Sequence, residues 1–212
     1  MTAKIKLNSA SGGGSFSLQA PSSSSNDRVI TLPDVADGTL LTSQSTGLGK
    51  ILQVIQTVKT DTFSMTTDGG GDDRNDITGL SVSITPSSTS SKILVQYSTN
   101  IGAPNGGSRV MLHLMRGSSD IFRGDQDSGQ TSQTRCSNHI NSDNDGIGGS
   151  KHYFVAGQFL DSPSTTSATT YKLQLHGING SSTFYVNRNS ESSDNNYVGR
   201  TPSQITVMEV SA

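Results

Sequence analysis

The sequence predicts an all-β protein: a jelly-roll or β-sandwich head preceded by short N-terminal strands and assembled from several chains. Three observations predict it. Strong helix formers are scarce, with Glu present only at Glu191 and Glu209 while glycine occurs 23 times. Apolar residues recur at every second position in many short runs, the spacing of strands that bury one face. Gly, Ser, Pro and Asn clusters separate those runs and read as turns.

Composition bounds the function. The 212 residues suffice for one core and a small appendage. Hydrophobic residues make up 30% and charged residues 15%, with a net charge of −2, so no electrostatic case exists for a nucleic-acid partner. No apolar run approaches the roughly 18 residues of a membrane span, and no signal-peptide core opens the chain. The single cysteine, Cys136, excludes an intrachain disulfide and argues against a thiolate metal cage. No cofactor is expected.

The elements follow in order. Lys4 to Asn8 alternates polar and apolar, Gly12-Gly13-Gly14 interrupts, and Phe16 and Leu18 resume the alternation. Val29 to Leu32 and Thr39 to Thr42 read as further short strands, and Ser43 to Gly49 as a linker. The predicted units are an N-terminal attachment or oligomerisation segment, 1–45, and a head domain, 46–212. In the head, Ile51 to Val58 is an apolar-rich run; Leu80, Val82 and Ile84 alternate, as do Ile93, Val95 and Tyr97. Tyr171, Leu173 and Leu175 alternate again, Asn179-Gly180 is a hairpin signal before Phe184 to Val186, and Ile205, Val207 and Val210 close the chain. About eight strands of this kind make a sandwich or jelly roll.

Two runs are apolar on both faces, Val110 to Met115 and Tyr153 to Leu160. One core absorbs a single face of each, so Met111, Met115, Phe154 and Leu160 are the predicted oligomer interface.

Asp68, Asp72, Asp73 and Asp76 crowd a glycine-rich stretch, and such oxygens are what calcium takes. The ligand spacing and late Glu of a calcium loop are missing, so the adopted reading is a solvated connection with no metal. Asp125 to Gly129 and Asp143 to Gly146 only begin like calcium loops. Three of the four histidines, His113, His139, His152 and His176, fall on strands. A threefold axis would gather copies of one as metal ligands; the plainer expectation is a solvent-facing ring or one hydrogen bond. No nucleophile elbow and no catalytic triad words occur, so no enzyme is expected. The polar stretch 117–150 holds few apolar anchors and is, with 187–200, the natural contact surface of a head.

The words Lys4-Ile5-Lys6-Leu7-Asn8 to Pro21, Ile30-Thr31-Leu32-Pro33-Asp34 and Asp37-Gly38-Thr39-Leu40-Leu41 resemble the opening of tail-fibre and related virion proteins of marine tailed phages. Gly79 to Pro86, Ser91 to Val95, Asp161-Ser162-Pro163 before Tyr171, and Ile205 to Val210 are similar to complement-type or tumour-necrosis-factor-like trimeric heads. The resemblance implies a non-enzymatic virion structural protein, a homotrimeric tail fibre or tail-associated protein attached to other virion proteins through residues 1–45. A capsid decoration protein or head fibre, or a module binding a host surface glycan or receptor through the head loops, is the alternative it leaves open.

Overall fold

The computed structural model describes residues 4–8, 11–13, 15–19, 50–68, 73–104, 108–142, 151–178, 180–191, 193–196 and 198–211. The expected strands at Val29 to Leu32 and Thr39 to Thr42, the linker, and Asp72 lie outside them. The chain divides into two units, Met1–Gln44 and Ser45–Ala212.

In the first unit β1 (Lys4–Asn8) and β2 (Ser15–Gln19) form an antiparallel hairpin that pairs Ile5 with Leu18 and Leu7 with Phe16. Gly12 and Gly13 take φ of 88° and 69° in the turn, values that only glycine adopts without strain.

The second unit is a sandwich of two antiparallel sheets, and among the described residues it contains no helix. Its strands are β3 (Ile51–Lys59), β4 (Phe63–Thr66), β5 (Asp73–Ile84), β6 (Lys92–Gly102), β7 (Arg109–Arg116), β8 (Ser119–Phe122), β9 (Asn138–Asn141), β10 (Tyr153–Asp161), β11 (Thr169–Gly177), β12 (Thr183–Val186) and β13 (Ser203–Val210). They occupy eight positions, because β3 and β4, β8 and β9, and β12 and β13 each share one interrupted position. In chain order the first sheet runs 1-8-3-6 and the second 2-7-4-5, which is jelly-roll connectivity.

Alternation builds the core. Ile93, Val95, Tyr97 and Ile101 point inward from β6, Leu112 and Leu114 from β7, Tyr171, Leu173 and Leu175 from β11, and Ile205 and Val207 from β13. At Gly157 the two strands β10 and β6 come so close that a Cβ would stand 2.4 Å from the Tyr97 hydroxyl. The glycine makes room for that ring, whose hydroxyl donates to Asn138 Oδ1 at 2.6 Å.

Buried polar groups mend the breaks. Asn187, buried with φ 64°, donates through Nδ2 to the Lys59 and Asp61 carbonyls, both at 2.8 Å. Its side chain therefore closes the gap where β12 and β3 stop together. Asp161, at the end of β10, accepts from Arg116 Nη1 at 2.8 Å and from the Tyr171 hydroxyl at 2.7 Å, tying the first sheet to the second. Burial, reinforced by the Asp161 charge, pushes the Tyr171 hydroxyl pKa well up.

One expectation is corrected here. Asp73 to Asp76 lie in β5 rather than in the glycine-rich connection. They pair with Gly177 to Gln174 of β11, and a bulge around Gly79 (φ 82°) lets β5 resume its register at Ser81.

Candidate functional site: two outer sheet faces

The acidic candidates do not converge. Asp76 is committed to β11, accepting from Lys172 Nζ and Gln174 Nε2, both at 2.7 Å. Burial of this partly covered carboxyl is outweighed by those two bonds and the Lys172 charge, which hold its pKa below the usual range. Asp73 accepts instead from the Asp68 amide at 2.7 Å. Among the described residues no group of three His, Cys, Asp or Glu side chains is placed to hold a metal ion.

His139 is exposed as expected, but His113 and His176 are buried. His113 makes two hydrogen bonds rather than one, and both bring in partners remote in sequence or strand. His139 and His152 line a cleft of about 630 Å³ between β9 and β10, with Asn138, Asn141 and Phe154. Burial lowers the His152 pKa. Cys136 is no activated nucleophile: burial and the Asp120 charge push its thiol pKa up, and Arg74 offsets this only in part.

The four interface candidates separate onto different sheets. Phe154 and Leu160 stand on the outer face of the first sheet, 69% and 52% exposed. Met111 and Met115 stand on the outer face of the second sheet, where only 8% and 4% of their surface remains exposed. The apolar excess on β7 is thus covered within the chain. On the same sheet Arg74 of β5 comes within 3.6 Å of Asp120 on β8, although β11 and β7 lie between those strands.

The first sheet's outer face has a composition unlike the rest of the molecule. Register places Val54, Met208, Leu94 and Leu160 in one row across four strands. The next row is Gln56, Thr206, Gln96 and Gln158, and the third is Val58, Gln204, Ser98 and Ala156. None of these twelve side chains is charged, and Phe154 follows them opposite Asn100. Gln56 Nε2 donates to Thr206 Oγ1 at 3.0 Å and to Gln204 Oε1 at 3.2 Å, and Gln96 Nε2 donates to Gln158 Oε1 at 3.4 Å, so the four amides are paired with one another across the face. A shallow hollow of about 430 Å³ opens over Ser98 and Ala156, walled by Gln96, Gln158 and Gln204. The second sheet's outer face is the opposite, carrying Arg74, Asp76, Lys172, His176, His113 and Asp120.

Sequence reasoning missed Val54, Leu94 and Met208 as part of this face. The signal was available in the alternation of β3, β6 and β13, but only the pairing order shows that the three positions fall in one row with Leu160.

No protein-family model matches the chain, and no curated protein matches it in sequence. Among solved structures it is similar to a structure of the Gt strain of infectious bursal disease virus, at 13% identity and TM-score 0.39, covering 94% of this chain and 48% of that one. A mutant VP2 protein of the same virus, in derived particles, matches at 13% identity and TM-score 0.37 over 96% of this chain and 44% of that one. The tripod from the baseplate of bacteriophage Tuc2009 matches at 12% identity and TM-score 0.19, over 86% and 84%. The chain spans less than half the length of the bursal disease virus chains it matches.

Proposed function

We propose that the chain is a non-enzymatic virion structural protein, a homotrimeric tail-fibre or related tail-associated protein of a tailed phage. Residues 1–45 attach it to other virion proteins and residues 46–212 form the head. The observation that carries the reading is the uncharged centre of the first sheet's outer face, three rows of four side chains bordered by Lys92. Interface centres are depleted in charge and apolar, and six large apolar side chains of this sheet, Ile51, Leu52, Val54, Val58, Phe154 and Leu160, are about half exposed or more. A further copy of this chain is the occupant. An uncharged face meets its own copy without like-charge repulsion, and glutamine amides donate and accept equally, so the rows suit self-association. The threefold comes from the resemblance to trimeric heads, as does the phage assignment from the opening words.

The N-terminal hairpin supports attachment. A two-stranded hairpin is marginal alone in water and gains from a neighbour that pairs with its edges. Deleting residues 1–45 leaves a folded head that no longer joins the particle; normal incorporation of the truncated head overturns the attachment role.

Light scattering tests the assembly. The expected mass is three chains of 22.2 kDa, falling to one chain for Leu160→Asp combined with Val54→Asp. Ser83→Asp, on an exposed position of the second sheet, leaves the trimer intact. A wild-type monomer overturns the interface, and a dimer overturns the threefold alone.

A further inference from the structure

His113 and His176 are both buried, and they meet on the outer face of the second sheet although 63 residues separate them. His113 Nε2 lies 3.1 Å from His176 Nδ1, and His113 Nδ1 lies 2.7 Å from Asp120 Oδ2. An ionised carboxylate only accepts, so the bonding fixes the tautomers. His113 carries its hydrogen on Nδ1 and accepts on Nε2, and His176 donates from Nδ1.

Asp120 belongs to the β7–β8 hairpin, so this relay fastens that hairpin to β11 through β7. The residues that lead from β8 to β9 are held beside it. The Leu114 amide donates to Ser137 Oγ at 2.9 Å, and Arg135 pairs with Asp125 at 2.9 Å. The charged or titratable groups on or beside this outer face come from every strand packed there. Arg74 comes from β5, Lys172 (paired with Asp76) from β11, Asp120 from β8, His139 from β9, and Cys136 from the segment before β9.

Two hydrogen bonds in series need two protons. One extra proton is tolerated, since either ring becomes the cation while the other supplies the lone pair. A second is not. Two imidazolium rings oppose N–H to N–H at 3.1 Å, while the Asp120 carboxylate bonds only His113 and is shared with the Arg74 cation 3.6 Å away.

We propose that Asp120, His113 and His176 are a proton-operated latch, which holds the β8 hairpin and the residues leading to β9 on the sheet at neutral pH and releases them when the pair takes its second proton. Released rings titrate independently near pH 6.5. Below about pH 6 the open state therefore binds about one proton more than the latched state, and each pH unit shifts the equilibrium about tenfold toward opening. The latch is independent of the virion role.

The test is backbone hydrogen exchange of the full chain over residues 117–142, corrected for intrinsic rates, at pH 7.5, 6 and 5. Protection of this segment falls about tenfold between pH 6 and pH 5 in the wild type. In His176→Asn the amide Nδ2–H replaces the ring donor but takes up no proton, and protection persists. His139→Gln leaves the wild-type loss unchanged. Flat protection in the wild type, or a parallel loss in His176→Asn, overturns the latch. Where that variant does not fold, ring-nitrogen magnetic resonance of the wild type decides. Two steps more than about one pH unit apart support a shared proton, and joint titration near pH 6.5 overturns it.

Discussion

Glu209 is one of the two glutamates in the chain, and it is 1% exposed on β13. Its carboxylate accepts from the Ser87 amide at 2.7 Å, Ser87 Oγ at 2.6 Å, Ser91 Oγ at 2.7 Å and Gln53 Nε2 at 2.6 Å. Burial alone raises a carboxyl pKa, but these four bonds outweigh it and hold the group at about 2 against a usual 4.5. The charge thus organises the turn before β6 and joins it to β3. A depression of two to three units corresponds to about 3 kcal/mol of stability. Because the folded value is depressed, that stability is complete above about pH 4.5 and is lost as the pH falls to about 2. Glu209→Gln removes it at neutral pH and sets an amide N–H₂ among donors. Urea unfolding followed by far-ultraviolet circular dichroism, which suits a chain without Trp, reads the difference. At pH 7 the variant is about 3 kcal/mol less stable, with Tm lower by roughly 6–12 °C for a unit of this size. At pH 2 the two proteins converge. A gap under about 1 kcal/mol at pH 7, or one that does not narrow between pH 5 and pH 2, refutes the reasoning.

Three further outcomes are expected. Asn187→Ala loses the bonds to Lys59 and Asp61 and places alanine at φ 64°, costing about 2–4 kcal/mol in urea unfolding; Asn187→Gly keeps the backbone and loses about 1 kcal/mol less. Gly157→Ala, a change that often stabilises a strand, instead destabilises by about 1–3 kcal/mol because the new Cβ meets the Tyr97 ring at 2.4–2.9 Å; equal or higher stability contradicts the close packing. Calcium or a chelator leaves Tm unchanged, since Asp76 is already held by Lys172 and Gln174; a rise of several degrees with calcium contradicts that reading.

Period-2 alternation made the strands legible because a half-buried strand writes its inner face into every second residue. Ile93, Val95, Tyr97 and Tyr171, Leu173, Leu175 are inward as their spacing requires. What alternation cannot encode is which strand lies beside which. Met111 and Phe154 have the same local signature, an apolar residue on the spare face, yet one is covered and the other is exposed. The difference is set by what the rest of the chain lays over each sheet, which the local pattern does not record. The His113–His176 contact was hidden for the same reason. Each histidine is merely an outward residue of its own strand until β7 and β11 are paired.

The contrast between the two outer faces bears on assembly. A sandwich needs only its inner faces apolar, and the outer faces are free to carry charge. The second sheet uses that freedom, bridging its strands with Lys172–Asp76, Arg74–Asp120 and the buried His113–Asp120 pair. On the first sheet the three central rows hold amides, hydroxyls and apolar chains only, although nothing in its own folding demands it. Charges there would cost the isolated head little, since exposed ion pairs and free surface charges are nearly neutral in stability. Their absence fits the self-association proposed above, which sets a demand outside the single chain. A face buried against its own copies meets that demand, because every charge placed on it would be desolvated once per contact and would lie near its own image.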